Sequence, residues 1–364
     1  MSMESRILEF IERPGDEAAF ATLALDVFAL QYDRAPMYRR FCDACGVRPG
    51  RVSSWEAIPA LPADAFKHGL CNIDAPVRVF LSSGTTSGPD LRSRHALAAL
   101  TTYRASALRW FDAMVLADAP GPMAVLVLGP TAPSHPSSSL GQMFTWCMER
   151  SSNGTTLVAL DADGRADIAT ALGWLDERAS ESAPVLVLSV SSALTALIDA
   201  IRDRGTAIRL PADSRIVDTG GRKGATRVMS PAGLLKAAWR WLHVPAYLCV
   251  NEYGMTEMLS QFYDDALESR VAGRLAKRAK IAPPWVRTRI VDPATLEPVA
   301  AGEPGLLRHL DLANWESVSA LQTLDVGRSV GRGFELRGRA EGAEARGCSA
   351  LVAEVVRSRV EGGT

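Results

Sequence analysis

The chain has 364 residues, of which 47% are hydrophobic and 22% charged, with a formal net charge of −1. That is enough chain for a large core and more than one domain, with the composition of an ordinary soluble globular protein. Near-neutral charge without a long basic block argues against a nucleic-acid partner, and no apolar run approaches the roughly 20 residues of a membrane span.

The N-terminal MSMESRILEFIERPGDE is acidic and amphipathic and lacks a signal-peptide pattern, so a cytoplasmic location is expected. Residues 1–75 read as helices with short breaks. Ile7, Leu8, Phe10 and Ile11 fit helical spacing, as do Phe20, Leu23, Val27 and Leu30, and Pro14, Gly15, Pro36 and Pro49 punctuate them. The segment IPALPADAFKHG, residues 58–69, reads as a loop entering the main domain.

Residues 76–284 read as an α/β core. Short apolar runs at 77–83, 124–130, 155–160, 185–190 and 215–221 look like buried strands, and helical patterns near 96–117, 138–150, 166–180, 191–204 and 230–242 alternate with them. Such alternation predicts mostly parallel sheets flanked by helices, which bind ligands at the carboxyl ends of their strands. Residues 285–334 carry β-branched runs cut by Pro, Gly and Asp turns and read as a small, largely antiparallel β unit. Residues 335–364 hold few large apolar side chains and form a short tail.

Six cysteines, Cys42, Cys45, Cys71, Cys147, Cys249 and Cys348, are scattered along the chain, and a cytoplasmic location keeps them reduced. Cys42 and Cys45 have CxxC spacing, but zinc needs a second pair and none lies nearby. Two small residues on neighbouring faces of a helix is the favoured reading.

Five segments carry candidate chemistry. LSSGTTSGPDLRSRH, from Leu81 to His95, offers the hydroxyls of Ser82, Ser83, Thr85, Thr86 and Ser87, with Gly84 and Gly88 freeing the backbone N–H groups. It suits the β- and γ-phosphates of ATP, although a Ser/Thr/Gly run alone is more often a plain loop. It is not a Walker loop, because no Gly-Lys-Ser/Thr follows. Val127 to Phe144 places His135 in the loop after a strand, either as a solvated loop histidine or, with Gln142, Met143 and Phe144 on the next helix, as a wall of an acyl pocket. DTGGRKG, Asp218 to Gly224, allows a flat ligand close to Gly220 and Gly221 and offers Arg222 and Lys223 to phosphate. On this motif alone a tight turn with exposed cations is favoured. Asn251 to Glu257, NEYGMTE, combines an amide, an aromatic ring, a glycine, a hydroxyl and a carboxylate, the inventory needed for an adenosine monophosphate unit with magnesium. Last, Asp325, a carboxylate at a strand-like end, suits two ribose hydroxyls, and Arg339, fourteen residues on, can close over the same sugar; surface ion pairs are the plain alternative.

The order SSGTTSG, GG, NEYGMTE and LD…GR, across roughly 80–345, resembles the adenylate-forming enzymes: acyl-CoA synthetases, luciferases and peptide-synthetase adenylation domains. Within that group DAFKHG, the hydroxyl loop running into RSRH, DTGGRKG and the late RGCS are most similar to the acyl-protein synthetase of the bioluminescence fatty-acid reductase system. The resemblance implies the large N-terminal domain of the adenylate-forming fold with a truncated C-terminal domain. It also implies ATP and Mg2+ as cofactors, a carboxylic acid as substrate, and an acyl reductase or carrier protein as partner. By position, Ser83 to Ser87 would cradle pyrophosphate, Gly220 and Gly221 would lie against adenine, and Tyr253 would stack on it. Asn251 and Gly254 complete the adenylate-binding set, Thr256 would contact the α-phosphate, and Glu257 would bind magnesium. Asp325 and Arg339 would hold the ribose, His135, Gln142 and Met255 would line the acid pocket, and Cys348 would take the acyl group.

Two departures stand out. The resembling loops carry lysine after their proline where this chain has Asp90 after Pro89, and the late lysine of that group has no counterpart, since the last lysine is Lys280. Lys223 is the candidate substitute. The expected reaction is ATP-dependent activation of an acid as acyl-AMP with transfer to a thiol. The rivals are an acyl- or aryl-CoA or amide-forming ligase using the same adenylate, and a degenerate nucleotide-binding subunit.

Overall fold

The computed structural model of the protein describes residues 1–69, 75–82, 92–220, 228–273 and 277–340. Two units result, one made of Met1–Arg109, Met255–Gln261 and Ile281–Thr364, the other of Trp110–Gly254 and Phe262–Lys280.

The first unit opens with helices α1 (Met3–Glu12), α2 (Glu17–Arg34) and α3 (Pro36–Ala44). Their starts are written locally: Ser2 accepts from the Ser5 N–H, Asp16 accepts from the Ala19 N–H, and Pro36 occupies the first turn of α3, where its missing N–H costs nothing. Ile7, Phe20, Val27 and Tyr38 are fully buried along these helices. The strand β1 (Leu61–Pro62) leads into a 3-10 helix, Ala63–His68, that holds DAFKH.

Strands β2 (Arg78–Leu81) and β3 (Arg94–Leu97) pair antiparallel, with Phe80 opposite His95. This corrects two expectations. The run at 77–83 joins a small two-stranded sheet and not the parallel one, and the helix expected from about 96 starts only at Thr101, as α4 (Thr101–Val115). Ladder pairing with β2 outweighs the helical spacing of the alanines and leucines that follow.

The second unit is a mostly parallel sheet. Its strands are β4 (Met123–Leu128), β5 (Ser152–Val158), β6 (Val185–Val190), β7 (Arg215–Thr219), β8 (Cys249–Tyr253) and β9 (Phe262–Asp264). Their order is β9-β8-β7-β6-β4-β5, and every neighbouring pair is parallel except β8–β9. Helices α5 (Ser139–Ser151), α6 (Ile168–Ala179), α7 (Ser191–Arg204), α8 (Pro231–Leu242) and α9 (Ala266–Val271) accompany them. Leu126, Leu128, Val185 and Val187 pack with Leu175 of α6, Leu194 and Ile198 of α7 and Ala238 of α8. The alternate residues Val125, Val127, Leu186 and Leu188 are equally buried. Successive side chains leave a strand on opposite faces, so a strand covered on both reads as an unbroken apolar run. The mixed α/β class with a mostly parallel, helix-flanked sheet agrees with the sequence reading.

A short strand, β10 (Lys280–Ile281), marks the return to the first unit, where β11 (Val286–Val291), β12 (Pro304–Asp311), β13 (Ala320–Val330) and β14 (Gly333–Arg339) form antiparallel neighbours in chain order. β1 adds parallel to β13, Leu61 against Leu321. No helix among the described residues is long and apolar enough to cross a membrane.

Candidate functional site

In the second unit the polar groups gather where parallel strands end. Asp218 on β7 accepts from the Ser191 hydroxyl at 2.7 Å and from Asn251 Nδ2 at 2.9 Å. The Asn251 N–H donates to Asp264 Oδ2 at 3.2 Å. Lys280 Nζ donates to the Asn251 carbonyl at 2.6 Å and to its side-chain oxygen, and it lies 3.1 Å from Asp264 Oδ1. Arg278 reaches Asp264 Oδ2 at 3.1 Å and donates to the Cys249 carbonyl at 2.8 Å. Asp218 and Lys280 thus occupy the two ends of the Asn251 side-chain amide, and Asp264 pairs with Lys280 and Arg278.

Glu252, next on β8, accepts from the Thr219 hydroxyl. Burial is the largest influence on its carboxyl and pushes it up to about 7, against the lowering effects of Thr219 and Lys280. Burial likewise raises Asp218 above the usual carboxylate range. Gly220 follows β7 with φ +84, a conformation that costs glycine nothing. A Cβ at Gly254 would collide with the Glu252 carboxylate, so a larger residue there would have to displace that acid. Tyr253 is 9% exposed, its ring centroid 5.5 Å from that of Phe262.

The turn Met255–Gln261 belongs to the first unit. Its backbone is held from several sides. His95 Nδ1 stands 2.8 Å from the Thr256 carbonyl oxygen, and Asn314 Nδ2 donates to the Glu257 carbonyl at 2.7 Å. The Leu259 N–H donates to Asn314 Oδ1 at 2.9 Å and Asp311 Oδ2 at 3.2 Å, and Ser260 Oγ donates to Asp311 Oδ1 at 2.8 Å. Burial pushes the Asp311 carboxyl up to about 6 despite these donors. Glu257 is buried, while Met255 and Thr256 are half-buried. The Glu257 carboxylate is a hard oxygen donor of the kind a nucleotide-borne magnesium ion takes, one or two carboxylates sufficing when phosphates and water fill the other positions. The residues present fit that ion.

Two other expected partners meet in the same unit. Asp325 on β13 stands directly opposite Arg339 on β14, half-buried and exposed respectively, which puts both side chains on one face of the sheet. Asp325 lies within β13 and not at a strand end. The β2–β3 pair brings together Ser82 and Ser93, whose N–H groups donate to the Ser93 carbonyl and to Ser82 Oγ, each at 3.0 Å. Ser83, Gly84, Thr85, Thr86, Ser87, Gly221, Lys223 and Cys348 lie outside the described residues.

His135 is half-buried in the loop before α5, Nδ1 2.9 Å from Ser134 Oγ and close to Gly164, while Gln142, Met143 and Phe144 are buried on α5. Among the described cysteines, Cys45 is exposed and Cys42, Cys147 and Cys249 are buried. Burial pushes the thiols of Cys42 and Cys249 up to about 12 and that of Cys147 well above its usual value. All three are held as thiols with little nucleophilic character.

His95, Asp218, Glu252, Lys280, Asp311 and Asn314 were not picked out by sequence as site residues. The signal available was polar residues inside apolar runs, as in HLDLAN and AKIA, which marks burial but names no partner.

The family model "Acyl-protein synthetase, LuxE" matches residues 2–356. The chain is similar to the long-chain-fatty-acid–luciferin-component ligase of Aliivibrio fischeri, 32% identical over 77 residues, 21% of this chain and 18% of that ligase. The matched stretch thus spans under a fifth of that relative. Among solved structures, an open conformation of 2-hydroxyisobutyryl-CoA ligase in complex with 2-HIB-AMP and CoA is similar at a TM-score of 0.62 and 14% identity, covering 89% of this chain and 75% of that one. ATP-bound MatB from Rhodopseudomonas palustris is similar at a TM-score of 0.50 and 14% identity, covering 74% and 49%. At such identities the likeness is one of fold.

Proposed function

The chain belongs to the acyl-protein synthetase family of the LuxE type, and from that premise we propose that it activates a carboxylic acid with ATP as acyl-AMP and passes the acyl group to a thiol. A carboxylate resists thiols at neutral pH because its oxygen is a poor leaving group. Attack of a carboxylate oxygen on the α-phosphorus expels pyrophosphate and makes the acid a mixed anhydride. A thiolate then attacks the carbonyl carbon, the C–S bond forms, the C–O bond to phosphate breaks and AMP leaves.

The observation that carries this reading is the family match over residues 2–356. In it Thr256 contacts the α-phosphate, Glu257 meets the magnesium ion that accompanies ATP, and Asp325 and Arg339 hold the ribose. Gly220, Gly221, Asn251, Tyr253 and Gly254 accommodate adenine, and Ser83 to Ser87 receive pyrophosphate. Bound magnesium supplies charge neutralisation on the phosphates; orientation of the reactants falls to the chain's own groups. His135, Gln142 and Met255 border the acid, and Lys223 supplies a cation to the reacting carboxylate. Cys348 is the proposed acceptor, with Arg346 nearby in sequence to favour its thiolate. The buried, high-pKa Cys42, Cys147 and Cys249 are poor rivals for that role. An acyl reductase or carrier protein in the cytoplasm is the proposed final partner.

The test is acid-dependent exchange of pyrophosphate into ATP across aliphatic, aromatic and amino-acid panels, followed by intact-mass analysis. The expected result is exchange with at least one acid and a hydroxylamine-labile acyl adduct that Cys348→Ser loses while still forming adenylate. No exchange with any acid would overturn the activity. An adduct on Cys45 or Cys71, or a free coenzyme A thioester with no adduct, would move the acceptor elsewhere.

A further inference from the structure

RSRH reaches the turn that carries Thr256 and Glu257 through His95, and DAFKH packs Phe66 against that histidine. We propose that His95 is a positioning residue: from β3 it holds the Thr256 carbonyl, and through that peptide sets the Thr256 hydroxyl and the Glu257 carboxylate for adenylate formation. The role rests on the function proposed above.

The chemistry of the three atoms fixes the state of the ring. His95 Nδ1 is 2.8 Å from the Thr256 carbonyl oxygen. A carbonyl only accepts, so Nδ1 carries the hydrogen. Nε2 is 2.9 Å from Ser317 Oγ, and in the neutral ring it accepts that hydroxyl's hydrogen. The side chain is 0% exposed, and the Phe66 ring of the DAFKH helix meets it edge-on, 5.3 Å away at 83°. Burial keeps the imidazole neutral, its pKa lowered to about 4.

Asn314 binds the next carbonyl, that of Glu257, at 2.7 Å. Consecutive carbonyls of the Thr-Glu pair are thus bound from two separate elements, β3 and the 3-10 turn Leu312–Asn314. With both carbonyls engaged the peptide plane between the two residues cannot rotate, and the directions in which their side chains leave the backbone are set. Any buried imidazole needs partners for its ring nitrogens; what is particular to His95 is that one partner is the Thr256 carbonyl.

The test uses the full chain with His95→Asn, His95→Gln and His95→Leu. An asparagine amide nitrogen comes near the place of Nδ1 and keeps the donor to Thr256. A glutamine amide comes near the place of Nε2 and loses that donor. In pyrophosphate exchange His95→Asn is expected within about threefold of the wild-type kcat. His95→Gln and His95→Leu are expected to lose about 10- to 100-fold in kcat with the KM for ATP changed less than about threefold, the pattern of misplaced rather than missing groups. Nitrogen-15 NMR of histidine side chains reads the geometry without catalysis: in the wild-type chain a neutral Nδ1–H tautomer is expected, assigned to His95 by its loss in His95→Asn. If His95→Leu does not fold, the Asn–Gln pair carries the kinetic comparison. An Nε2–H tautomer or an imidazolium at neutral pH, or equal kcat in His95→Asn and His95→Gln beside an active wild type, overturns the positioning role alone. A wild type without exchange overturns the proposed function, and the role with it.

Discussion

At the scale of single residues, Glu252 joins burial to a functional neighbourhood. Its carboxyl is 5% exposed beside Thr219 and Gly254, and burial lifts it from 4.5 to about 7. A carboxyl whose folded pKa exceeds its unfolded value keeps its proton in the native state where the unfolded chain has already lost it. Its contribution is complete below pH 4.5 and is lost as pH rises to about 7, a loss of at most about 3 kcal/mol. Glu252→Gln should therefore flatten the decline of melting temperature across that interval. Asp311, also raised by burial, titrates in the same direction in both proteins and cancels in the comparison, whereas the charge of Asp218 helps to raise Glu252 and belongs to the effect compared. Parallel melting curves for variant and wild type would show that Glu252 ionises normally. NEYGMTE was legible as a functional segment from its residue types; that its second residue is a buried acid against Thr219 was not, because a strand's alternation says which face a side chain takes and nothing about what meets it there.

At the scale of elements, the antiparallel register of β13 and β14 sets Asp325 against Arg339. Residue type and the family resemblance suggest a shared sugar; the tight turn at Gly331–Arg332 and the ladder bring the two side by side. If both hold the ribose, the contact exists in ground and transition states alike. Asp325→Ala should then raise the KM for ATP about tenfold or more while kcat falls less, and adding Arg339→Ala should cost less than the two single changes together. Steady-state kinetics with ATP as the varied substrate checks this, and an unchanged KM in a folded Asp325→Ala removes the ribose role. β2 and β3 show where element reading fails. Arg78–Leu81 has the composition of a buried strand, and only its partner Arg94–Leu97 decides that it pairs antiparallel in a small sheet. The same pairing buries His95, which helical spacing alone would not single out.

At the scale of the whole chain, binding should appear as stability. A ligand that binds only the folded state adds about 2.7 kcal/mol at a hundred times its dissociation constant. ATP with magnesium is expected to raise the unfolding temperature more than ATP with a chelator, and Glu257→Gln should abolish most of that difference and lower the exchange rate about 10²- to 10³-fold. Differential scanning fluorimetry over a magnesium series measures the first effect, and an undiminished magnesium increment in the variant would release Glu257 from the metal. The sequence by itself determined the alternation of strands and helices, the covered sheet of Met123–Leu128 and Val185–Val190, and the residue types of NEYGMTE. These follow from local periodicity and chemistry, which a linear chain carries in full. Tertiary structure alone decided the partners. His95 meets Thr256 across 161 positions and Ser317 across 222, and Lys280 meets Asn251 across 29. Periodicity records which side of an element is buried, whereas the identity of the atom on the other side depends on how distant elements pack.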